Sequence, residues 1–444
     1  MKGQPDRRHF GPAATTAMKK RLMMITLLLA ALLLPLFAAG ADAAGTEEGR
    51  RSAKETISLL RDPAGPVLGA ALCGLPADYP ENALEGILAA GGTGIDLVLA
   101  DVSSTADGGF VLMKTDAPGR MLADAAPAKP LVSDYTTAEL TAVYLLEGYG
   151  GKGNDKSEYR PATLEAALKA VKEKDLPLIL RCDAADAKGI ADMIKANGAA
   201  DICALLVTGN KKAAKHALTS SDTGGVCTLG ELRSNIFFEV TSRIKTLTEA
   251  GAAGLVLKTT NRYGVNFHQT VLRRFTGMRA AIDLGDAETA GARADCETWW
   301  DDLIARGYSL IFTEEPAAFA DYLARCRENR AALQEAYDRY VTNAAVPAFK
   351  QNLLNDYKKA YTDAVHTAER LLNDPQAANA ELTDAVTALH TAYKNIALHY
   401  DELEKGTAGV TVTPVRIFLC VAAAAAVFWV ERYFYKKRKP VRPF

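Results

Sequence analysis

Short apolar runs alternate with amphipathic stretches between residues 66 and 326. The apolar runs predict buried strands at 67–72, 97–102, 176–180, 202–207, 254–257, 279–282 and 309–312, with a weaker eighth signal near 225–229. The stretches with helical spacing are 81–90, 163–173, 184–197, 243–250 and 296–306. Buried strands that alternate with helices predict a parallel α/β fold. The length suits a TIM (β/α)8 barrel, and a doubly wound sheet is the alternative on pattern alone.

The pattern changes beyond residue 326. Residues 328–404 contain almost no glycine and place apolar side chains at helical spacing. The two stripes are Leu353, Tyr357, Tyr361 and Val365, then Leu382, Ala385, Leu389 and Tyr393. Breaks near 346–347 and 373–375 divide this part into about three helices. We expect an α-helical bundle at 326–405, followed by a linker at 406–414.

The N-terminal segment 1–44 has the order of a secretory signal peptide. Lys19, Lys20 and Arg21 precede an almost wholly apolar run at 22–36, and small residues follow up to Ala44. This order predicts export with cleavage near Ala43 or Ala44, and an uncleaved signal anchor is the alternative. Residues 1–17 are an upstream extension.

An apolar, alanine-rich run at 417–430 lies near the C-terminus. Three aromatic residues at 433–435 follow it, and then a basic cluster at 436–442. Basic residues after an apolar segment favour a cytoplasmic end. We therefore predict a transmembrane helix at 415–435 and a basic cytoplasmic tail at 436–444. This places residues 45–414 outside the cell as the ectodomain of a single-pass protein of the cell membrane.

Composition narrows the choice of partners. The net charge is −1, which gives no electrostatic case for nucleic acid. The seven cysteines show no CxxC pair and no metal-ligand spacing. Export would permit disulfides among the first six, and apolar fillers are the other interpretation.

Four segments share motifs with one enzyme family. Residues 80–85 are Pro-Glu-Asn-Ala-Leu-Glu, and residues 94–102 precede Thr105, Asp107 and Gly108. Residues 161–165 are Pro-Ala-Thr-Leu-Glu, and residues 311–316 are Ile-Phe-Thr-Glu-Glu-Pro. In order and spacing these segments resemble the glycerophosphodiester phosphodiesterases, which are phosphoric diester hydrolases of lipid metabolism. The resemblance implies a TIM barrel at 45–325. The helical part is similar, less specifically, to FIVAR modules of bacterial surface proteins, and a generic three-helix bundle is the alternative.

The histidines that the resemblance implies are missing. The family uses two histidines as acid and base. The first belongs to a His-Arg-Gly motif, which here is Leu72, Cys73 and Gly74, and Lys114 takes the place of the second. No histidine occurs between residues 10 and 215, and His268 is the one placed to reach a barrel mouth. We therefore predict no catalytic residues.

The carboxylates that the resemblance implies for a divalent cation are also depleted. The Glu-x-Asp motif is Leu99, Ala100 and Asp101, and the Glu-x-Lys motif is Arg181, Cys182 and Asp183. A hard cation needs several oxygen ligands and no adjacent guanidinium. We expect neither a metal ion nor another cofactor.

These substitutions lead to three hypotheses. In the first, an inactive barrel binds a phosphate-bearing small molecule, a wall polymer or a surface partner through Lys114 and Arg181, with Asp101, Asp183, Glu81 and Asn82 beside them. The second is an active phosphodiesterase with a rearranged site. The third is a structural or regulatory ectodomain, in which Arg181 pairs with Asp101 or Asp183 and binds nothing.

Overall fold

The computed structural model describes residues 51–209, 217–218, 223–232, 237–258, 277–285, 295–343 and 355–404. In these residues, eight parallel strands close into a barrel in the order β1-β10-β9-β8-β7-β6-β5-β2. A short antiparallel pair, β3 with β4, lies beside it. The strands are β1 Leu68–Leu72, β2 Leu97–Asp101, β3 Ser103–Ser104, β4 Phe110–Val111, β5 Leu178–Asp183, β6 Cys203–Thr208, β7 Cys227–Leu232, β8 Gly254–Lys258, β9 Arg279–Asp283 and β10 Leu310–Thr313. The predicted TIM barrel is confirmed, and a doubly wound sheet is excluded.

Helices surround the barrel and continue beyond it. They are α1 Ala53–Leu60, α2 Leu84–Gly91, α3 Pro118–Met121, α4 Thr137–Ala142, α5 Leu164–Glu173, α6 Ala187–Ala196, α7 Phe237–Glu249, α8 Glu297–Ala305, α9 Pro316–Tyr337, α10 Asn355–Leu372 and α11 Asn379–Glu404. The local sequence explains where two of these helices begin. Thr163 accepts a hydrogen bond from the Ala166 backbone at the start of α5, and Pro316 opens α9 with the fixed φ that suits a first turn.

Alternation along the strands separates two apolar layers. Leu97, Leu99 and Ile179 belong to the cluster that fills the barrel interior. Their neighbours Val98 and Ala100 pack outward against the helices. Because side chains point to opposite faces at every second residue, the polar residues that end these strands also point into the barrel.

The amino-terminal end of the barrel is closed by one buried arginine. Arg279 is 0% exposed and donates to four backbone carbonyls, those of Leu59, Asp62, Pro66 and Ser309. These bonds fasten the loop after α1 to the strand ends. Burial lowers the pKa of Arg279 to about 10.

The helical bundle is joined to the barrel by a continuous helix. α9 begins directly after β10 and runs through residue 326, so the predicted boundary at 325/326 falls within it. Leu333, Tyr361, Ala368, Leu382 and Leu389 share one buried cluster of α9, α10 and α11. The predicted break at 373–375 separates α10 from α11, whereas 346–347 lies outside the described residues.

Other sequence predictions fall outside the described ranges. These are the signal peptide at 1–44, the linker at 406–414, the transmembrane helix at 415–435 and the tail at 436–444. Among the described residues, no helix has the length and apolar character to cross a membrane. The cysteines at 73, 182, 203, 227, 296 and 326 carry free thiols, as expected for apolar fillers rather than disulfides.

Candidate ligand-binding site

Polar side chains gather at the carboxyl ends of the barrel strands. Asp101 ends β2, Asp283 ends β9, and Arg181 and Asp183 lie at the end of β5. All four follow the inward alternation of their strands. TIM barrels carry their sites at this end. The mouth is therefore the candidate site.

Arg181 joins two strands of the mouth through ion pairs. Its Nε and Nη2 lie 2.5 and 2.9 Å from the two carboxylate oxygens of Asp101, and its Nη1 lies 3.1 Å from Asp283. Asp101 and Arg181 are direct partners in the β2–β5 ladder. Of the two partners considered for Arg181, Asp101 is the one found, whereas Asp183 accepts a hydrogen bond from Thr208 at 2.7 Å.

Burial and pairing oppose each other in this group. Burial alone would raise the pKa of Asp101, but the Arg181 guanidinium outweighs it and lowers that pKa to about 2. Burial also works against the charge of Arg181, and Asp101 more than compensates, so the pKa of Arg181 rises well above its ordinary value. Both side chains are charged at neutral pH.

Asn82 and Cys73 support Asp101 from strained positions. The Asn82 amide accepts from the Asp101 backbone at 2.7 Å and donates to its carboxylate at 3.2 Å. The Cys73 thiol donates to the same carboxylate at 3.3 Å. Both residues have left-handed φ, +62° for Asn82 and +53° for Cys73. Such strain persists only where surrounding contacts enforce it, so these bonds fix Asp101 firmly.

The family's divalent cation does not fit this arrangement. Cys73, Glu81 and Asp101 bring ligand atoms within 4.8 Å of one another. Both oxygens of Asp101 already accept from Arg181, and Glu81 Oε2 lies 2.6 Å from Arg120 Nη1. A guanidinium beside these carboxylates repels a divalent ion and uses its ligands. Burial, and then Asp101, also raises the pKa of the Cys73 thiol well above its ordinary value, which disfavours a thiolate ligand.

A cavity of about 480 Å³ opens beside the Arg181 pair. Lys114 and Arg181 both line it, together with Asp101 and Asp183, whereas Glu81 and Asn82 do not. The Lys114 side chain is 47% exposed, and its Nζ lies 3.6 Å from Asp116. The cavity thus brings four of the six predicted residues to one space. Its other lining residues include Ser103, Thr115, Asp116, Thr208 and Glu231.

Three residues of the mouth escape sequence analysis. Asp283 directly follows a predicted strand, and the strand-end rule could have found it. Arg120 lies in the four-residue helix α3 and Tyr149 in an irregular segment before α5, and no periodic signal marks either residue. Burial opposes the charge of Arg120, but its bond to Glu81 outweighs this and raises its pKa. His268 lies outside the described residues, and no histidine occurs in the described part of the barrel.

In comparisons with known proteins, matches to this chain are found among solved structures. No protein-family model matches the chain. No curated protein matches it either. Among solved structures, a glycerophosphodiester phosphodiesterase from Agrobacterium tumefaciens strain C58 is 14% identical, with a TM-score of 0.44 over 57% of this chain and 99% of that one. One from Parabacteroides distasonis ATCC 8503 is 18% identical, with a TM-score of 0.47 over 61% of this chain and 91% of that one.

A third solved structure is a phosphodiesterase from Oleispira antarctica in complex with the product sn-glycerol-3-phosphate. It is 16% identical, with a TM-score of 0.45 over 58% of this chain and 97% of that one. At such identities the likeness concerns the fold, and it does not extend to the FIVAR-like interpretation of the bundle. The chain is similar in fold to glycerophosphodiester phosphodiesterases, and the resemblance predicted from its motifs is confirmed.

Proposed function

We propose that this chain is an exported, membrane-anchored barrel of the glycerophosphodiester phosphodiesterase type that does not hydrolyse phosphodiesters and binds a phosphate-bearing ligand at its mouth. The observation that carries the loss of hydrolysis is the ion pair of Arg181 with Asp101. It places a fixed guanidinium on the carboxylate that remains from the family's cation site.

The described mouth offers no histidine for proton transfer. Phosphodiester cleavage near neutral pH requires a side chain that accepts and returns a proton, and histidine is the usual one. The described barrel contains no histidine, and Lys114 stands where the motif has its second one. Asp101 and Glu81 are held by Arg181 and Arg120, so neither is free to act as a base.

The contacts of Arg181 support Lys114 as the proposed phosphate anchor. Arg181 directs its Nε and both terminal nitrogens at Asp101 and Asp283, and its side chain is 13% exposed. Lys114 is the more accessible cation of the cavity lining, and its contact with Asp116 is long. A glycerophosphate unit fits this chemistry, because its phosphate matches the ammonium and its hydroxyls can donate to Asp183. The carboxylates of the lining keep such binding weak and sensitive to salt.

Activity against glycerophosphodiesters tests the loss of hydrolysis. The purified full-length chain is assayed with calcium, with magnesium and with chelator. We expect no metal-dependent turnover, because each missing acid or base removes on the order of 10²- to 10⁴-fold. Turnover near the ordinary enzymatic range of about 1 s⁻¹, abolished by chelator, would support the active-enzyme alternative.

Calorimetric titration with glycerol 3-phosphate tests binding. Lys114→Ala is expected to abolish weak binding that the wild type shows at low salt. Lys169→Ala removes an exposed lysine from α5, away from the cavity, and is the matched control. Equal heats of binding in the wild type and in Lys114→Ala would contradict the proposed anchor. The scaffold hypothesis would then remain, and it is favoured by the pairing of Arg181 with Asp101 and Asp283.

A further inference from the structure

A glycine-rich loop lies over one side of the barrel mouth. Residues 147–154 include Gly148, Gly150, Gly151 and Gly153, all with positive φ between 56° and 98°. The Glu81 backbone donates to the Gly148 carbonyl at 2.8 Å, and the Gly151 backbone donates to the Arg120 carbonyl at 2.7 Å. An added Cβ at Gly150 would clash with the Arg120 carbonyl oxygen, whereas one at Gly151 or Gly153 would meet no atom within 4 Å. The loop is therefore attached at a few points and loosely packed elsewhere.

Arg120 is the side chain that fastens this loop to the barrel. Its Nη1 lies 2.6 Å from the Glu81 carboxylate and also donates to the carbonyl of Tyr149. Glu81 is buried at 6% side-chain exposure, whereas Arg120 reaches 36%. One guanidinium nitrogen thus ties the loop to a fixed, buried carboxylate. Solvent still reaches the same guanidinium.

Tyr149 connects the loop to the corner of the barrel at the end of β1. Its hydroxyl hydrogen-bonds to Glu314, the residue that directly follows β10. β1 lies between β10 and β2 in the barrel, and Cys73 directly follows β1. Burial, then Glu314 and Cys73, raises the pKa of the Tyr149 hydroxyl, which agrees with its place above this corner. Cys73 is 5% exposed at this end of the barrel.

We propose that residues 147–154 form a latched lid and that an anion which engages Arg120 opens it. The proposal rests on the proposed function, since it assigns a second contact to the same phosphate-bearing ligand. A phosphate that accepts from Arg120 Nη1 displaces the Tyr149 carbonyl from that donor. It therefore binds more tightly when the lid is open, and such a difference in affinity shifts a conformational equilibrium. Opening uncovers Cys73 and joins the β1 corner to the cavity beside Lys114.

The test measures how fast N-ethylmaleimide modifies Cys73 in the full chain, by mass spectrometry of peptides. Inorganic phosphate is the probe, and sodium chloride of matched ionic strength is its control. Cys203, 0% exposed on β6 and outside the cavity lining, reports general loosening in the same sample. We expect phosphate to accelerate labelling of Cys73 severalfold while labelling of Cys203 stays constant.

Arg120→Gln tests the role of Arg120 in holding the loop closed when no phosphate is present. This variant should label Cys73 about tenfold faster than the wild type without phosphate, because a charge-assisted bond is lost, and phosphate should add nothing further. Arg339→Gln, which removes a surface pair with Glu335 in the bundle, is the matched control. Wild-type labelling that phosphate leaves unchanged overturns the proposal. If calorimetry still detects binding at Lys114, only the lid fails. If labelling in Arg120→Gln rises equally at Cys73 and at Cys203, that result also overturns the proposal.

Discussion

Asp101 and Arg181 face each other across the β2–β5 ladder and share two hydrogen bonds of 2.5 and 2.9 Å. The same guanidinium reaches Asp283 on β9, so one cation compensates two buried carboxylates from opposite parts of the barrel. A divalent cation could neutralise such carboxylates, but here a covalently attached charge does so. The pair therefore links the stability of the barrel to the occupation of these carboxylates by Arg181.

Replacement of Arg181 by methionine should destabilise the protein strongly. Asp101 and Asp283 would remain buried, at 3% and 4% exposure, without their cation. Removal of one partner of a buried ion pair costs about 3 to 5 kcal/mol. Urea denaturation measures the loss. Arg339→Met provides the control, because its pair with Glu335 is exposed, at 63% and 72%, and should cost about 1 kcal/mol or less.

The double variant Arg181→Met, Asp101→Leu distinguishes the effect of losing the ion pair from the effect of changing side-chain shape. With one of the two stranded carboxylates removed, it should recover part of the lost unfolding free energy. A double variant that is as unstable as the sum of the two single ones would show that the ion pair is not the source of the effect.

Acid should weaken the fold through Asp101. Its folded pKa of about 2 lies below the ordinary value of an unfolded aspartate, about 3.9. The stabilisation is therefore complete above the unfolded value and is lost as pH falls from there toward 2. The difference amounts to roughly 3 kcal/mol. As the pH is lowered, the urea midpoint of Asp101→Asn should fall less steeply than that of the wild type. If the two midpoints fall equally with pH, Asp101 is not the source of the acid sensitivity.

The sequence pattern predicted the strands but ended several of them early. The run at 176–180 continues in the structure to Asp183, and the run at 279–282 continues to Asp283. Apolar periodicity stops where a polar residue begins, and the carboxyl ends of barrel strands are where polar site residues lie. The rule that finds a buried strand therefore truncates it at its functional end.

Other features of the site depend on contacts that a one-dimensional pattern does not contain. Arg181 meets Asp101 because of the register between two strands that are about 80 residues apart in sequence. Arg120 lies in the short helix α3 and Tyr149 in a loop, where spacing carries no information on which groups meet. The boundary near 326 marks a change in composition, yet no glycine or proline interrupts α9 there, so the helix continues.

Arg279 should be as important at the closed end of the barrel as Arg181 is at the mouth. Arg279→Met would leave the carbonyls of Leu59, Asp62, Pro66 and Ser309 without their shared donor. The carbonyls of Leu59, Asp62 and Ser309 keep a backbone donor. Each charge-assisted bond to Arg279 nevertheless contributes roughly 1.5 to 3 kcal/mol, so we expect a loss of about 4 kcal/mol or more. Guanidinium chloride unfolding measures the loss, again with Arg339→Met for comparison. A loss within the range of the surface control would mean that water replaces the guanidinium.

The barrel and the bundle should unfold as one cooperative unit. α9 is shared by both, and the Gln376 amide donates to the carbonyls of Pro63 and Gly65 at 2.7 and 2.9 Å. Asn379 adds a bond from its backbone to the hydroxyl of Tyr322, so the loop before α11 is tied to the barrel at two places.

Calorimetry of the wild type should therefore show a single thermal transition, because contacts that cross between the two parts couple their unfolding. Gln376→Ala removes the bonds to Pro63 and Gly65. In this variant the bundle should unfold at a lower temperature than the barrel. Gln334→Ala, which removes a bond to Asp338 at the end of α9, is the matched control and should leave one transition. Two separate transitions in the wild type would show instead that α9 transmits little between the barrel and the bundle, and that the bundle folds on its own.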